Sequence, residues 1–390
     1  MSIVLGVVLT FTSTDGRSLA LDVTLASNAT VSVELEGRKL EGTLLASDPF
    51  TAISFGPFGL PTANALATIR VAGESPIVAE IPARRIGRTR VAIYGDSRDG
   101  DAPHRILSQA IREAEPDVLI HTGDLIRTAN DEQGFAEFLA ALWPQPTEEH
   151  KRLVPLVIAL GNHEVLGPGN GLDTLLASVP VPPDRFARAN ATPPAVFHVN
   201  VGPVRIISID SNSPMAAGSR QYEYLGQLLG AQQGQKLTIV AMHHGPLSSG
   251  VHGGHPDGAQ LMELFQRKGV DIVAAGHDHL YERIVSDRVT VLVSGGGGAP
   301  LYWRTTNVPG SIAFAPTHHY VLLDVDDDGG VRLEARSLEG VLLDRAKWRG
   351  APESPPNVPP RPWASALGLV TGLAMMGYVG KRILFRSLPK

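Results

Sequence analysis

The chain contains no cysteine among its 390 residues. This absence excludes disulfide bonds, thiolate metal ligands and cysteine nucleophiles together. It is compatible with every cellular compartment, so the redox environment of the protein stays open. Any metal site or nucleophile in this chain must therefore be built from other side chains.

A concentration of positive charge is also missing. The formal net charge is -5 at pH 7, and no run of basic residues has aromatic residues interleaved with it. Proteins that bind nucleic acid usually present a basic surface to the phosphates. We therefore expect no nucleic-acid partner.

The N-terminal stretch 3–11 is almost continuously apolar but lacks the flanks of a signal peptide. The first basic residue is Arg17, and no small-residue cleavage site follows the stretch. We therefore expect residues 3–11 to form a first β-strand. Residues 1–86 as a whole contain short β-branched runs separated by Gly, Asp, Asn and Pro, a pattern that predicts a small β-sandwich.

The central part of the chain has the pattern of an α/β domain. Apolar residues make up 43% of the chain and charged residues 19%, which is typical of folded proteins. Between residues 87 and 350, short apolar runs alternate with stretches of helical spacing at 103–114, 131–142 and 257–268. The length of the chain allows two domains.

The C-terminal region predicts a linker and a membrane anchor. Residues 351–362 are rich in proline and should be extended. The uncharged residues that follow, 363–380, would span about 27 Å as a helix, close to the roughly 30 Å of a bilayer core. We expect a transmembrane helix at 363–383 and a basic tail at 384–390, with an amphipathic or buried C-terminal helix as the alternative. Gly368 and Gly372 give a weak signal for a homodimer through this helix.

Five apolar runs in the central region each end in a motif with Asp, Asn or His. Such ends gather at one edge of an open α/β sheet, and neutral histidine is a common metal ligand. One such pair of histidines could belong to an ordinary turn, but five motifs in this order predict a metal site. The motifs are Tyr94-Gly95-Asp96-Ser97-Arg98, Thr122-Gly123-Asp124-Leu125, Gly161-Asn162-His163-Glu164, Met242-His243-His244-Gly245 and Gly276-His277-Asp278-His279.

Together the motifs resemble those of calcineurin-like metallophosphoesterases. The sequence Gly-His-Asp-His-Leu-Tyr-Glu-Arg at 276–283 most resembles the purple acid phosphatase branch. The resemblance covers residues 90–345 and implies a four-layer α/β/β/α domain at 87–350, built from two mixed sheets. It also implies a fibronectin-like sandwich at 1–86. The activity it implies is hydrolysis of a phosphoester, with a monoester favoured over a diester, by water activated on two divalent metal ions.

The resemblance assigns the metal ligands residue by residue. Asp124 would bridge the two metals, and Asp96 and His279 would bind the first of them. The second metal would be bound by Asn162, His243 and His277. The sequence after the histidine pair aligns with the family and selects His243 over His244. Mixed nitrogen and oxygen ligation leaves Mn, Zn and Fe open.

The resemblance also assigns residues to the substrate. His163 would contact the phosphate or protonate the leaving oxygen, a role worth about 10²–10⁴-fold in rate. His244 is a candidate substrate contact. His252 and His255 are either substrate contacts or ordinary loop histidines. Glu282 and Arg283 are expected to be structural. The same is expected of the histidines that match no motif, which are His104, His121, His150, His198, His318 and His319.

Two arginines depart from the family pattern. Arg98 stands where many metallophosphoesterases have a histidine ligand, and Arg127 stands where purple acid phosphatases have a tyrosine ligand. The first metal therefore lacks one protein ligand on either pattern. Because a guanidinium cannot bind a metal, we expect Arg98 to contact the substrate phosphate. The alternative is a salt bridge from Arg98 to Asp99 or Asp101.

The sequence leaves two further questions open, the type of activity and the orientation in the membrane. A phosphodiesterase, or a binding or scaffold protein on a degenerate phosphoesterase fold, is the alternative to a phosphomonoesterase. The basic residues 381–390 after the expected helix outnumber Arg361 before it, which predicts a cytoplasmic C-terminus. The catalytic domain would then be extracytoplasmic, although no export signal is visible.

Overall fold

The computed structural model describes residues 4–25, 29–43, 51–129, 131–142, 151–165, 196–231 and 234–348. The expected linker 351–362, helix 363–383 and tail 384–390 lie outside these ranges. No helix within the described ranges is long and apolar enough to cross a membrane.

The described residues form 21 strands and five helices. The strands are β1 Val4–Phe11, β2 Ser18–Leu25, β3 Thr30–Leu35, β4 Arg38–Thr43, β5 Thr51–Gly59, β6 Ala65–Val71, β7 Ile77–Ile81, β8 Arg88–Tyr94, β9 Val118–His121, β10 Lys151–Arg152, β11 Pro155–Ile158, β12 Phe197–Val201, β13 Val204–Ser208, β14 Leu237–Ala241, β15 Ile272–Ala275, β16 Tyr281–Ser286, β17 Val289–Ser294, β18 Ser311–Ala315, β19 His319–Asp326, β20 Val331–Ser337 and β21 Leu342–Trp348. The helices are α1 Asp101–Glu113, α2 Glu132–Leu142, α3 Asn162–Val165, α4 Arg220–Gly230 and α5 Gly258–Lys268.

Three sheets organise these strands. The largest runs in the order β21-β20-β19-β8-β9-β11-β1-β2-β5, and a second runs β12-β13-β14-β15-β17-β16-β18. A third, smaller sheet runs β10-β7-β6-β3-β4. β8, β9 and β11 pair in parallel, as do β13, β14, β15 and β17. Such strands are buried on both faces, which explains why they are continuous apolar runs in the sequence.

Helices cover the outer faces of the two large sheets. Leu107 of α1 and Phe138 of α2 pack on the nine-stranded sheet, and Leu261 and Phe265 of α5 pack on the seven-stranded sheet. The inner faces of both sheets meet in one hydrophobic core. The expected mixed α/β fold is confirmed, and the helices at 103–114, 131–142 and 257–268 are present within two residues of the expected bounds.

The N-terminal strands differ from the separate β-sandwich expected for residues 1–86. β1 pairs with β2 on one side and, in parallel, with β11 on the other, so it lies inside the nine-stranded sheet. Both faces of β1 are buried: Val7 and Leu9 face the core between the sheets, and Val8 faces the cluster that contains α2. Because β1 pairs with β11 of the central part, it cannot belong to a separate domain, and one compact unit includes residues 1–355.

Candidate metal centre and active site

The five motifs meet where strands of the two large sheets end. Asp96 follows β8, Asp124 follows β9, and the histidine motifs follow β14 and β15. Backbone hydrogen bonds join these loops: the N–H of Asp96 donates to the carbonyl of Gly123 at 2.9 Å, and that of Gly276 donates to the carbonyl of His243 at 3.0 Å. The fold therefore brings residues from opposite sheets to one place.

Three residues of this centre have left-handed backbone conformations. The φ angles are 57° at Asp96, 56° at Asp124 and 70° at His277. Positive φ is uncommon outside glycine, and such strain gathers at functional sites because it aims side chains that regular structure cannot aim. In this centre the left-handed backbone turns the side chains of Asp96, Asp124 and His277 toward one another.

Asp96, Asp124 and His279 form the first candidate metal cluster. All three are buried, and each offers one ligand atom within 4.8 Å of the others. The Nε2 of His279 lies 3.5 Å from a carboxylate oxygen of Asp96. Its Nδ1 donates to the carbonyl of Pro300 at 2.6 Å, which leaves Nε2 free to bind a metal when the ring is neutral.

His243, His244 and His277 form the second candidate cluster, with ligand atoms within 4.8 Å of one another. The Nδ1 of His243 donates to the carbonyl of Thr122 at 2.9 Å. Its Nε2 lies 3.0 Å from the amide oxygen of Asn162 and 3.3 Å from Asp124. His243 therefore connects the clusters, whereas His244 hydrogen-bonds to Ser211 on the far side.

The protonation states suit metal binding. Burial lowers the pKa of His244 to about 3 and lowers that of His277 further. At His243 burial also lowers the pKa, but Asp124 and Asp96 outweigh it and raise the value. Burial raises the pKa of Asp124, yet His243 and His163 lower it overall, so Asp124 is ionised at neutral pH. Two carboxylates, one amide oxygen and several imidazoles fit two divalent cations of the Mn, Zn or Fe type.

Arg98 and His163 lie on one side of Asp124. The Nε of Arg98 donates to Asp124 at 3.2 Å, and its Nη1 donates to Asp99 at 2.6 Å. Arg98 therefore makes the salt bridge to Asp99 that the sequence left as an alternative, together with a contact to the centre. The Nε2 of His163 lies 3.7 Å from Asp124, and its Nδ1 contacts the carbonyl of Arg127.

The other expected substrate contacts lie near the second cluster. The ring of His252 is 4.2 Å from that of His277, so it lies beside the second cluster. The ring of His255 is 6.3 Å from that of His244. Its Nδ1 accepts the N–H of Asp257 at 3.0 Å, which is the contact of a turn histidine.

Two buried carboxylates have roles that the sequence did not reveal. Glu164 is fully buried and accepts the N–H groups of Asp124 and Gly161 at 2.9 and 2.8 Å. It thereby joins two motif loops, and burial raises its pKa to about 7. Asp278 accepts from Ser248 at 2.5 Å and from the N–H of His252 at 3.0 Å. Both residues lie inside the motifs, so their position in the sequence already indicated that they belong to the centre.

Most of the residues expected to be structural lie in the core, whereas His198 and His318 are half-buried. Arg283 is fully buried and pairs with Asp344 at 2.6 Å, and Glu282 accepts the N–H of Ser249 at 2.8 Å. His104 hydrogen-bonds to the hydroxyl of Tyr94, and burial lowers its pKa to about 3. Two further core histidines hydrogen-bond to serine hydroxyls, His121 to Ser97 and His319 to Ser294. His150 lies outside the described residues.

Comparisons with known proteins agree with this geometry. The family model described as calcineurin-like phosphoesterase matches residues 89–281. The chain is 28% identical over 212 residues to a probable purple acid phosphatase 20 of Arabidopsis thaliana. That match covers 50% of this chain but only 46% of the plant protein.

Two solved structures share the fold. One is purple acid phosphatase PPD1 from yellow lupin, Lupinus luteus, with a TM-score of 0.71 and 20% identity over 87% of this chain and 73% of the lupin chain. The other is PhoD, with a TM-score of 0.64 and 12% identity over 92% of each chain. At these identities the structural likeness establishes the fold alone.

Proposed function

Because residues 89–281 belong to the calcineurin-like phosphoesterase family, we propose that this chain is a metal-dependent phosphoester hydrolase with a dinuclear centre. The observation that carries the proposal is the position of Asp124. It belongs to one candidate metal cluster and lies 3.3 Å from His243 of the other. A carboxylate in that position can bridge two cations.

Asp96, Asp124 and His279 would hold the first metal, and Asn162, His243 and His277 the second. Two divalent ions held there would supply positive charge beside the phosphate and a water of lowered pKa. In two of the imidazole ligands, Nδ1 donates a hydrogen bond to a backbone carbonyl, from His279 to Pro300 and from His243 to Thr122. Such orienting contacts keep the ligand atoms directed at the centre.

His163 protonates the leaving oxygen in this proposal. Its Nδ1 contacts the carbonyl of Arg127, so Nδ1 carries the proton of the neutral ring and Nε2 faces the centre. In the protonated ring Nε2 is the atom that can give up a proton to the ester. Arg98 neutralises charge beside it, with its guanidinium within reach of Asp124.

We propose a preference for monoesters, which rests on the similarity to purple acid phosphatases. The test uses the full chain with added Mn or Zn, and compares nitrophenyl phosphate with bis-nitrophenyl phosphate. The expected result is a higher kcat/KM for the monoester. Faster turnover of the bis-ester would instead assign a phosphodiesterase.

A scaffold protein on the same fold is the second candidate, and the contact of Arg98 with Asp124 favours it. A fixed positive charge beside the carboxylate competes with metal binding. Metal content distinguishes the two functions: less than about one metal per reconstituted chain would favour the scaffold, since the hydrolase needs both ions.

We further propose that residues 363–383 anchor the protein in a membrane, that the same segment forms homodimer contacts, and that the catalytic part is extracytoplasmic. The proposal rests on the uncharged run and on the basic residues that follow it. Protease added to intact cells should digest the catalytic part. Full protection of that part would contradict the proposed orientation.

A further inference from the structure

Tyr302 lies against the first metal cluster although it belongs to none of the five motifs. Its ring stacks on the ring of His279, with centroids 4.1 Å apart and planes at 13°. Its edge meets the ring of His252 at 5.3 Å. The stack therefore connects a candidate metal ligand to a candidate substrate contact.

A backbone hydrogen bond holds Tyr302 beside His279. The N–H of Tyr302 donates to the carbonyl of His279 at 3.0 Å, so the two side chains leave neighbouring points of the backbone. Their rings are stacked with nearly parallel planes, and the imidazole Nε2 of His279 lies 3.5 Å from a carboxylate oxygen of Asp96. The phenol ring therefore covers one face of a candidate metal ligand.

No described residue hydrogen-bonds to this hydroxyl. Burial raises the pKa of Tyr302, and the charges of Arg98, Asp96, Asp278 and Asp124 act on it. The hydroxyl is thus a polar group among the charged residues of the centre, with its donor unused within the described ranges. A phosphate oxygen that enters the centre can accept a hydrogen bond from this hydroxyl.

The segment that carries Tyr302 is held firmly. The hydroxyl of Thr305 donates to the carbonyl of Gly250 at 2.6 Å, and the N–H of Thr305 donates to the carbonyl of Ser249 at 2.9 Å. The 248–252 loop is fixed in turn by Asp278 and Glu282. These contacts hold His252 and Tyr302 in place beside the two clusters.

We propose that Tyr302 is a further substrate-binding residue, whose hydroxyl donates a hydrogen bond to a phosphate oxygen of the ester. This inference rests on the proposed hydrolysis at the same site. In this proposal the phosphate has three protein donors, which are Arg98, His163 and Tyr302. Since the bond forms to a charged oxygen, its loss should be measurable.

The test is Tyr302→Phe, which keeps the ring stacked on His279 and removes only the hydroxyl. The kcat/KM for nitrophenyl phosphate should fall about tenfold, the size expected for one hydrogen bond to a charged group. The inhibition constant of inorganic phosphate should rise by a similar factor, while the metal content stays at the wild-type level. Tyr224→Phe, on α4 away from the centre, is the matched control and should change neither constant.

Two results would overturn this role. Wild-type values of kcat/KM and of phosphate inhibition in Tyr302→Phe would leave only the ring stack as the function of Tyr302. Loss of metal from Tyr302→Phe would make it part of the metal site instead. Both results are read against a wild-type protein that hydrolyses nitrophenyl phosphate. If the wild type itself is inactive, it is the proposed function that fails, and not the role of Tyr302.

Discussion

At the scale of single residues, the centre consists of two clusters, and within each cluster the ligand atoms lie within 4.8 Å of one another. Asp96, Asp124 and His279 form one cluster, and His243, His244 and His277 form the other. All six residues lie in the sequence motifs. Tyr302 was missed because it reaches the centre only through the fold of a loop after β17. A motif search does not detect this contact, because Tyr302 stacks on His279 without belonging to the motif that contains His279.

Arg98 is the residue whose role is most open to experiment. It contacts Asp124 at 3.2 Å and Asp99 at 2.6 Å. If it also binds the phosphate, Arg98→Ala should lower kcat/KM by roughly 10- to 100-fold, or about 1.4–2.7 kcal/mol. Metal affinity should hold or improve, because a positive charge leaves the centre.

The matched control is Arg332→Ala on β20, which removes a surface pair with Asp326 of β19. Its kinetics should equal those of the wild type. Steady-state assays on the metal-loaded full chain measure both variants. Unchanged kinetics in Arg98→Ala would show that its salt bridge to Asp99 is its whole role.

At the scale of elements, periodicity predicted which segments form helices and strands but not the neighbours of each strand. β1 pairs with β11 across more than a hundred intervening residues, with Leu9 opposite Pro155. An alternating pattern carries no information on so distant a partner. For this reason the sequence predicted the β-strands before residue 86 but not the sheet to which β1 belongs.

The contact between β1 and α2 gives a test of this placement. A Cβ added at Gly6 would lie 2.7 Å from the Cβ of Leu139, so Gly6→Ala forces the helix away from the strand. The expected loss is about 1–3 kcal/mol in the free energy of unfolding. Gly59→Ala is the control, because nothing lies within 4 Å of its added Cβ. Urea unfolding of both variants measures the difference, and equal stability would place α2 elsewhere.

A buried carboxylate in β2 predicts the pH dependence of stability. Asp22 accepts from Thr10 of β1 at 2.6 Å and contacts Ser54 of β5, and burial raises its pKa to about 6 from 3.8. The fold therefore favours the protonated form. The stability from Asp22 is complete below about pH 4 and is lost as pH rises through about 6.

Asp22→Asn, which stays neutral, removes this dependence. Relative to the wild type, the variant should gain up to about 3 kcal/mol between pH 4 and pH 7, because a pKa difference of one between the folded and unfolded states corresponds to roughly 1.36 kcal/mol. Urea unfolding at the two pH values provides the comparison. A constant difference between variant and wild type across that range would contradict the raised pKa.

At the scale of the whole molecule, one hydrophobic core joins the N-terminal strands to the catalytic part. The core includes Leu21 of β2, Ile69 of β6 and Ile120 of β9. Residues that share a core unfold together. The centre is thus supported by the entire compact unit, residues 1–355.

This shared core predicts a single cooperative unfolding transition. Loss of hydrolysis and loss of β-structure, measured on the same urea series, should coincide. An N-terminal part that unfolds at lower urea while activity persists would contradict the shared core. The Gly6→Ala variant sharpens the comparison, since it should shift both signals equally.

The central claim is that Asp124 organises a dinuclear centre that hydrolyses phosphoesters. Its most direct test is a titration of the metal-stripped full chain with Mn, counting bound metal and measuring nitrophenyl phosphate hydrolysis together. We predict that wild-type activity saturates at about two metals per chain and that Asp124→Asn binds less metal and has no turnover. Equal turnover in both proteins, or a wild type that binds two metals and hydrolyses neither nitrophenyl ester, would contradict the account.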